Sequence, residues 1–275
     1  MSLSVAIICF NEELNIARTL ASVQDIANEI IVVDSGSTDR TLEIARGFGP
    51  KTKIFVEPWK GFAKQKNSAI SKATYDWVLL LDADESLTPE LADEISRIAC
   101  RADVNPLPGE INAHNSSNPI AYAVPRRNFN FGRWIRHAGY YPDRKLRLMR
   151  RGSGCVENCP INEELKVPDG VVGSLKGDLI HHCHYTLTDF VEHVNRYSSL
   201  GAEMKGPRAF SVVDVVLRPA IRFIYDYFFR LGFLDGPEGL CVHLYRAFAV
   251  SLRYAKAWEL GRDNELPERV PTFRR

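Results

Sequence analysis

Two aspartates, Asp82 and Asp84, follow the apolar run at 78–81 with one residue between them. Like charges this close are costly unless something positive lies between them. A one-residue gap at a strand end can aim both carboxylates at a single hard cation, Mg2+ or Mn2+, of the kind shared with a substrate's phosphates. Such an ion would neutralise the charge that develops on a departing diphosphate. Other polar residues follow the other apolar runs of the first hundred positions: Asn11, Glu12 and Glu13, then Asp34 through Asp39, then Glu57.

The elements that must position these groups alternate in type. Continuous apolar runs at 4–10, 29–34, 51–58 and 77–85 have the pattern of parallel strands buried on both faces. Between them lie helix patterns. The first carries Leu14, Ala17, Leu20 and Ala21 on one stripe; the second carries Leu42 and Ala45 behind Ser37 or Thr38 as N-cap. A third is "GFAKQKNSAISKA", and a fourth starts at Thr88 as N-cap with Pro89 at the first helical position. Strands alternating with helices predict an α/β fold with a mostly parallel sheet covered on both faces. In such sheets ligands bind beyond the carboxyl ends of the strands, where the acidic residues gather.

The 275 residues are 45% apolar and 25% charged, as in a soluble globular protein. A net charge of +1 excludes a globally basic nucleic-acid binder. Six cysteines without short regular spacing suit a reducing compartment better than a disulfide framework. The N-terminus has no signal-peptide pattern, and no stretch approaches the roughly 20 apolar residues of a membrane span. These features predict a cytoplasmic protein.

Residues 101–119 are polar and rich in Pro and Asn, and predict a loop or insertion. From 121 to 151 nine Lys and Arg face one acid, Asp143, interleaved with Phe129, Phe131, Trp134, Tyr140 and Tyr141. This combination predicts a pocket wall for an anionic, ring-bearing partner. His181, His182 and His184, with Cys155, Cys159 and Cys183, raise a zinc site; their intervals match no standard finger, which favours structural histidines. Beyond 209, Asp214, Arg218, Arg222, Asp226 and Arg230 draw a charged stripe on a greasy helix, with an interruption expected at Pro219. This tail predicts either helices packed on the main domain or helices lying in a membrane interface.

The segments "VAIICFNEELNIARTLASV", "IIVVDSGSTDRTLEIA" and "LLLDADE", in this order, resemble glycosyltransferase family 2, whose members are inverting enzymes of the GT-A fold acting on nucleotide-sugar donors. "GFAKQKNSAISKATYDWVLLLDADE", "GRWIRHAGYYPDRKLRLMRR" and "IHHCHYTLTDFVEHVNRYS" narrow the resemblance to the bacterial lipopolysaccharide core β-glucosyltransferase branch. The resemblance implies that Asp34 holds the uracil or ribose end of the donor, with Asn11 and Glu13 beside it. It makes Asp82 and Asp84 the metal-binding pair, Asp84 at the diphosphate, and places Lys64, Gln65 and Asn67 on a donor-side helix. "INEEL" matches the branch's base-bearing step, so Glu163 is the candidate general base, with Asn162 in place of a histidine and Glu164 as the alternative. Trp134, His137, Arg144, Arg147 and His181 fall at the acceptor side. The implied donor is UDP-glucose and the implied acceptor an inner-core heptose, or another lipid-linked glycan or polyprenyl phosphate. The expected location is peripheral, on the cytoplasmic face of the inner membrane through 205–260.

The expected division is 1–100 for the donor half, 101–204 for the acceptor half and 205–275 for a helical extension. A rival reading of "LLLDADES" is a haloacid-dehalogenase phosphohydrolase with a nucleophilic aspartate. That family places the motif near the start of its core, whereas three strand–helix units precede it here. A catalytically inert nucleotide-sugar-binding protein has no need of both aspartates and a base.

Overall fold

The computed structural model describes residues 2–100, 119–157, 163–168 and 170–262. Strands β1 (Leu3–Cys9), β2 (Glu29–Asp34) and β3 (Thr52–Val56) alternate with helices α1 (Ile16–Val23), α2 (Thr41–Arg46) and α3 (Phe62–Ser71). Then follow β4 (Trp77–Asp82), β5 (Glu85–Leu87), α4 (Pro89–Cys100), β6 (Ala121–Asn130), β7 (Arg133–Ile135) and β8 (Asp143–Arg150). Short strands β9 (Cys155–Glu157), β10 (Glu164–Lys166) and β11 (Val172–Ser174) lead to β12 (Leu179–His184). The main sheet runs β3-β2-β1-β4-β8-β6-β12-β5, parallel through β4, with β8 antiparallel to both β4 and β6 and β5 antiparallel to β12.

Every residue of β1 is buried, because alternate side chains serve opposite faces. Leu3, Val5 and Ile7 join Ile16 and Leu20 of α1 and Leu91 and Ile95 of α4 in one core. Ala6 and Ile8 face the other way, into Ile31, Val33 and the Ala63, Ala69 and Ile70 face of α3.

Two local expectations shift in phase. The buried face of α1 is Ile16, Thr19, Leu20 and Val23, while Leu14, Ala17 and Ala21 are exposed. Thr19 can be buried because its hydroxyl donates to Ala83 O at 2.6 Å. Helix α2 starts at Thr41, two residues later than a Thr38 cap would place it. Asp39 accepts from Thr41 N at 3.0 Å, and Ser37 and Thr38 are drawn into the preceding turn. Thr88 does cap α4, accepting from Leu91 N at 3.3 Å.

The chain packs as two compact units, Met1–Phe129 with Tyr140–Cys183, and Asn130–Gly139 with His184–Arg275. The second unit thus takes in 130–139 as well as the helices after 184. Helix α5 (Leu187–Lys205), closed at its start by a Thr186–Asp189 capping box, packs along the last helix, α7 (Gly236–Arg262). Lys256 donates to Asn195 Oδ1 at 2.6 Å and to Ser198 Oγ at 2.8 Å. Between them, α6 (Arg218–Ile224) is flanked by π-helical turns at Val213–Leu217 and Tyr225–Phe229. Pro219 lies in the first turn of α6, where the π-helical turn gives way to α, and the backbone stays helical through Leu217 and Arg218.

Candidate functional site

The ends of β2 and β4 flank β1: Asp34 lies opposite Cys9, and Asp82 opposite Ile8. Both acids therefore sit at the carboxyl edge of the parallel strands, about 10 Å apart at ordinary strand spacing.

Asp34 is fully buried and organises its own loop. One carboxylate oxygen accepts from Gly36 N at 2.8 Å and Ser37 N at 2.9 Å, and the other from the Ser37 hydroxyl. Gly36 has φ +94°, which a side chain would strain. This loop is laced to the one after β1. Asn11 N donates to Ser37 Oγ and Asn11 Oδ1 accepts from Thr38 N, both at 2.8 Å. Glu13 N donates to Asp39 at 3.0 Å, and the Glu13 carboxylate accepts from Arg40 N at 3.1 Å. Asn11, Glu13 and Asp34 thus form one rigid double loop. Beside it, burial pushes the Glu12 carboxyl up to about 7, helped by the charges of Asp84, Asp39 and Asp82 and opposed by an Asn15 hydrogen bond.

Asp82 is already answered by two cations. Lys66 Nζ lies 2.6 Å from Oδ1, and Arg147 Nη2 lies 2.9 Å from Oδ2. Burial alone would raise this carboxyl, but Lys66 and Arg147 outweigh it and hold it well below the carboxylate range. The same Lys66 donates to Glu163 Oε1 at 3.0 Å. Arg147 continues to Glu85 at 2.6 Å, Glu85 accepts from Arg126 at 3.1 Å, and Arg126 reaches Asp143 at 2.6 Å. Opposite charges alternate along this chain, which is how buried ions are tolerated.

Asp84 differs from Asp82. Its Oδ2 lies 3.3 Å from His181 Nε2, while its Oδ1 is buried without a hydrogen-bond partner. His181 is steered by Asn128 Oδ1, 2.8 Å from its Nδ1. Burial would lower the His181 pKa, but the Asp84 carboxylate outweighs it and lifts it to about 10. Among the described residues no three His, Cys, Asp or Glu side chains form a ready metal cage. A hard cation that draws most of its ligands from a diphosphate and water needs few protein donors. The orphan oxygen of Asp84 fits that requirement. Asp82, in contrast, has both oxygens paired with cations, Lys66 and Arg147.

Several other expected residues are placed differently. Asn67 exchanges a pair of hydrogen bonds with the Val156 backbone, each 2.8 Å, and so anchors β9 to α3. Lys64 is exposed, and Gln65 is fully buried with its amide unpartnered among the described residues. Glu57 is locally neutralised by Lys60 and Lys72. Arg147 is buried in the charge chain, which removes it from an acceptor surface, whereas Arg144 is exposed and reaches Leu175 O at 3.4 Å. Trp134 and His137 belong to the second unit, where Arg136 stacks 4.6 Å over the Trp134 ring and His137 Nδ1 lies 2.7 Å from Asp235. Glu164 is exposed on β10, and Glu163 is the member of the pair brought to Lys66. Asn162 and Cys159 lie outside the described residues.

The sequence reading missed Lys66 and Glu85, and Arg126 entered it only as one of the nine basic residues of 121–151. For Lys66 a signal exists: it shares the Ala63, Ala69 and Ile70 face of α3, where a lysine needs a buried partner.

A family model described as glycosyl transferase family 2 matches residues 4–153. The lipopolysaccharide core biosynthesis glycosyltransferase LpsC of Rhizobium meliloti is 32% identical over 86% of this chain and 82% of its own length. An uncharacterized glycosyltransferase of Rickettsia typhi is 31% identical over 94% and 87%. The crystal structure of S. aureus TarS 1–349 with UDP aligns over 98% of this chain and 93% of its own, with 16% identity and a TM-score of 0.45. A phosphohydrolase assignment for the Asp82–Asp84 strand end falls with the family match, which spans the strands, the laced loops and both aspartates. The chain belongs to glycosyltransferase family 2 and is a transferase of the GT-A fold.

Proposed function

We propose that the protein transfers a hexose, with inversion, from a nucleoside diphosphate donor to the saccharide of an anionic glycolipid. UDP-glucose is the first donor to test and a lipopolysaccharide inner-core heptose the first acceptor. The observation that carries this reading is the Lys66 bridge, which sets Glu163 beside the acidic end of β4.

The double loop built on Asp34 offers a rigid edge for the nucleoside. Asp84 would hold a divalent cation, with His181 beside it, and that ion supplies charge neutralisation to the leaving diphosphate. Glu163 takes the proton of the acceptor hydroxyl. The hydroxyl oxygen then forms its bond to the anomeric carbon from the face opposite the diphosphate. The bond from that carbon to the diphosphate oxygen breaks, and its electron pair leaves with the nucleoside diphosphate. No covalent enzyme intermediate is needed. Lys66, tied to Asp82, fixes where the Glu163 carboxylate lies. The exposed Arg144 suits the phosphates or carboxylates of an anionic acceptor.

The test is a screen of purified protein with UDP-, GDP- and dTDP-sugars, with Mn2+ or Mg2+, with and without truncated lipopolysaccharide. Transfer from UDP-glucose that Glu163→Gln abolishes supports the reading. Turnover of GDP-mannose alone would overturn the donor assignment, and loss in Glu164→Gln but not Glu163→Gln would overturn the base.

A further inference from the structure

Asn128 is a neutral side chain, 5% exposed, set among buried charges and hydrogen-bonded on both sides of its amide. It stands on β6, which lies between β8 and β12 in the sheet. Arg126, two positions earlier on the same strand face, grips Asp143 Oδ2 through Nε at 3.0 Å and Nη2 at 2.6 Å. The alternating charge chain from Asp82 thus ends on a carboxylate that faces Asn128.

That carboxylate leaves the Asn128 amide one orientation. Its Nδ2 lies 3.1 Å from Asp143 Oδ2 and 3.4 Å from Tyr140 O. A carboxylate and a carbonyl only accept, so the amide nitrogen must face them and the amide oxygen must face β12. There Oδ1 lies 2.8 Å from His181 Nδ1.

The His181 ring is thereby held at both nitrogens, because its Nε2 lies 3.3 Å from Asp84 Oδ2. Half a turn of the ring would put carbon atoms opposite both acceptors and lose both contacts. Cys183 Sγ, 3.0 Å from Nδ1, is a weak hydrogen-bonding atom and no substitute for the amide oxygen. The backbone is tied at the same place, where the His182 amide donates to Asp84 O at 3.1 Å. With Oδ2 pinned by the ring, Asp84 keeps its buried Oδ1 without a hydrogen-bond partner.

We propose that Asn128 is a positioning residue for the transfer reaction: it orients His181, which pins Asp84 so that Oδ1 stays available to a divalent cation. This role rests on Asp84 as the holder of that ion. A side chain one step behind a metal ligand sets affinity by about 10- to 100-fold.

The test compares Asn128→Leu, which removes the acceptor at Nδ1, with Asn128→Asp, which keeps an oxygen there and gives up the bond to Asp143. Asn128→Ala is the second deletion should the leucine variant fail to fold. Three quantities are measured on the full chain: the His181 ring nitrogen resonances without metal, calorimetric titration of Mn2+ in the presence of UDP, and urea unfolding. His181→Gln assigns the resonances. The expected result is that the deletion shifts the His181 ring resonances and weakens Mn2+ at least about tenfold. Asn128→Asp should keep the ring resonances and most of the Mn2+ affinity, even where its unfolding free energy falls. Folded deletion variants with unchanged resonances and Mn2+ affinity would overturn the role of Asn128 and leave Asp84 as the ion's holder. So would a Mn2+ affinity that simply follows stability across the variants, which would make Asn128 a structural residue. Wild-type protein that binds no Mn2+, or binds it as tightly as Asp84→Asn does, overturns the Asp84 reading itself and this role with it.

Discussion

The carboxyl edge of β4 and the helices at 212–248 break the ordinary rule of burial in opposite directions. At the first, Lys66, Arg147 and Glu85 carry charge into the interior and answer each other there. At the second, phenylalanine, leucine and isoleucine side chains are exposed among the described residues. Neither arrangement is what stability alone selects. A buried ion network is often no more stable than well-packed apolar groups of the same volume, and a large exposed apolar surface invites association. The difference shows where each region finds its missing partner. At the strand edge the unpartnered buried atoms are single groups, among them Asp84 Oδ1, Arg147 Nε and the Gln65 amide, so what it lacks is small and local. The helices lack a whole surface.

The largest expected effects strike the strand edge. Asp84→Asn should remove the dependence of turnover on Mn2+ or Mg2+, and Glu163→Gln should lower kcat by about 10^2 to 10^4 with a smaller change in KM. Both are read by initial-rate kinetics with calorimetric titration of UDP to show that the donor still binds. A Glu163→Gln enzyme altered only in KM would make this edge a binding surface and erase the contrast drawn above.

Lys66→Met should cost about 1 to 3 kcal/mol in urea unfolding, because it leaves the half-buried Glu163 without its cation and Asp82 with Arg147 alone. Lys66→Arg should recover most of that stability. If the Lys66 bridge places the base, the arginine variant will still be slow, with kcat reduced more than KM. Equal kcat in Lys66→Arg and wild type would reduce Lys66 to a structural counter-ion.

The alternation of β1 to β4 with α1 to α4 was legible because both periods are strong and the chain order is regular. Asp34, Asp82, Asp84 and Glu163 were legible as residues but not as partners. That Arg147 reaches Asp82 depends on β8 lying antiparallel beside β4, a pairing between distant segments that no local pattern encodes. The phase of α1 was misread because a buried Thr19 counts as polar until its bond to Ala83 O is known. Asn67 looked like a ligand contact because an amide that clamps backbone and one that binds a sugar are the same residue type. In the tail, the apolar and charged stripes were visible, but choosing between packing and exposure required knowing which face α7 covers.

A buried charge at the other end of β2 provides a control. Glu29 accepts from Ser4, Thr74 and Lys53; burial alone would raise its carboxyl, but these bonds outweigh it and hold it at about 2. Its folded pKa is depressed, so its contribution is present above the ordinary value of 4.5 and lost as pH falls towards 2. Unfolding midpoints should therefore drop more steeply over that window in wild type than in Glu29→Gln. At neutral pH, Glu29→Gln should lower stability and leave kcat per folded molecule unchanged. A fall in kcat comparable to that of Lys66→Met would mean that any buried charge in this sheet perturbs turnover, and the carboxyl edge would lose its distinction.

The smallest expected effect belongs to the other region. Phe229 is 73% exposed, so Phe229→Ser removes little buried surface and should change unfolding free energy in lipid-free buffer by less than about 0.5 kcal/mol. Solubility should rise, because one member of the apolar surface is gone. A loss above about 2 kcal/mol would show that Phe229 is packed in solution, by its own chain or another copy. The helices at 212–248 would then obey the same burial rule as the core, and only the strand edge would remain an exception to it.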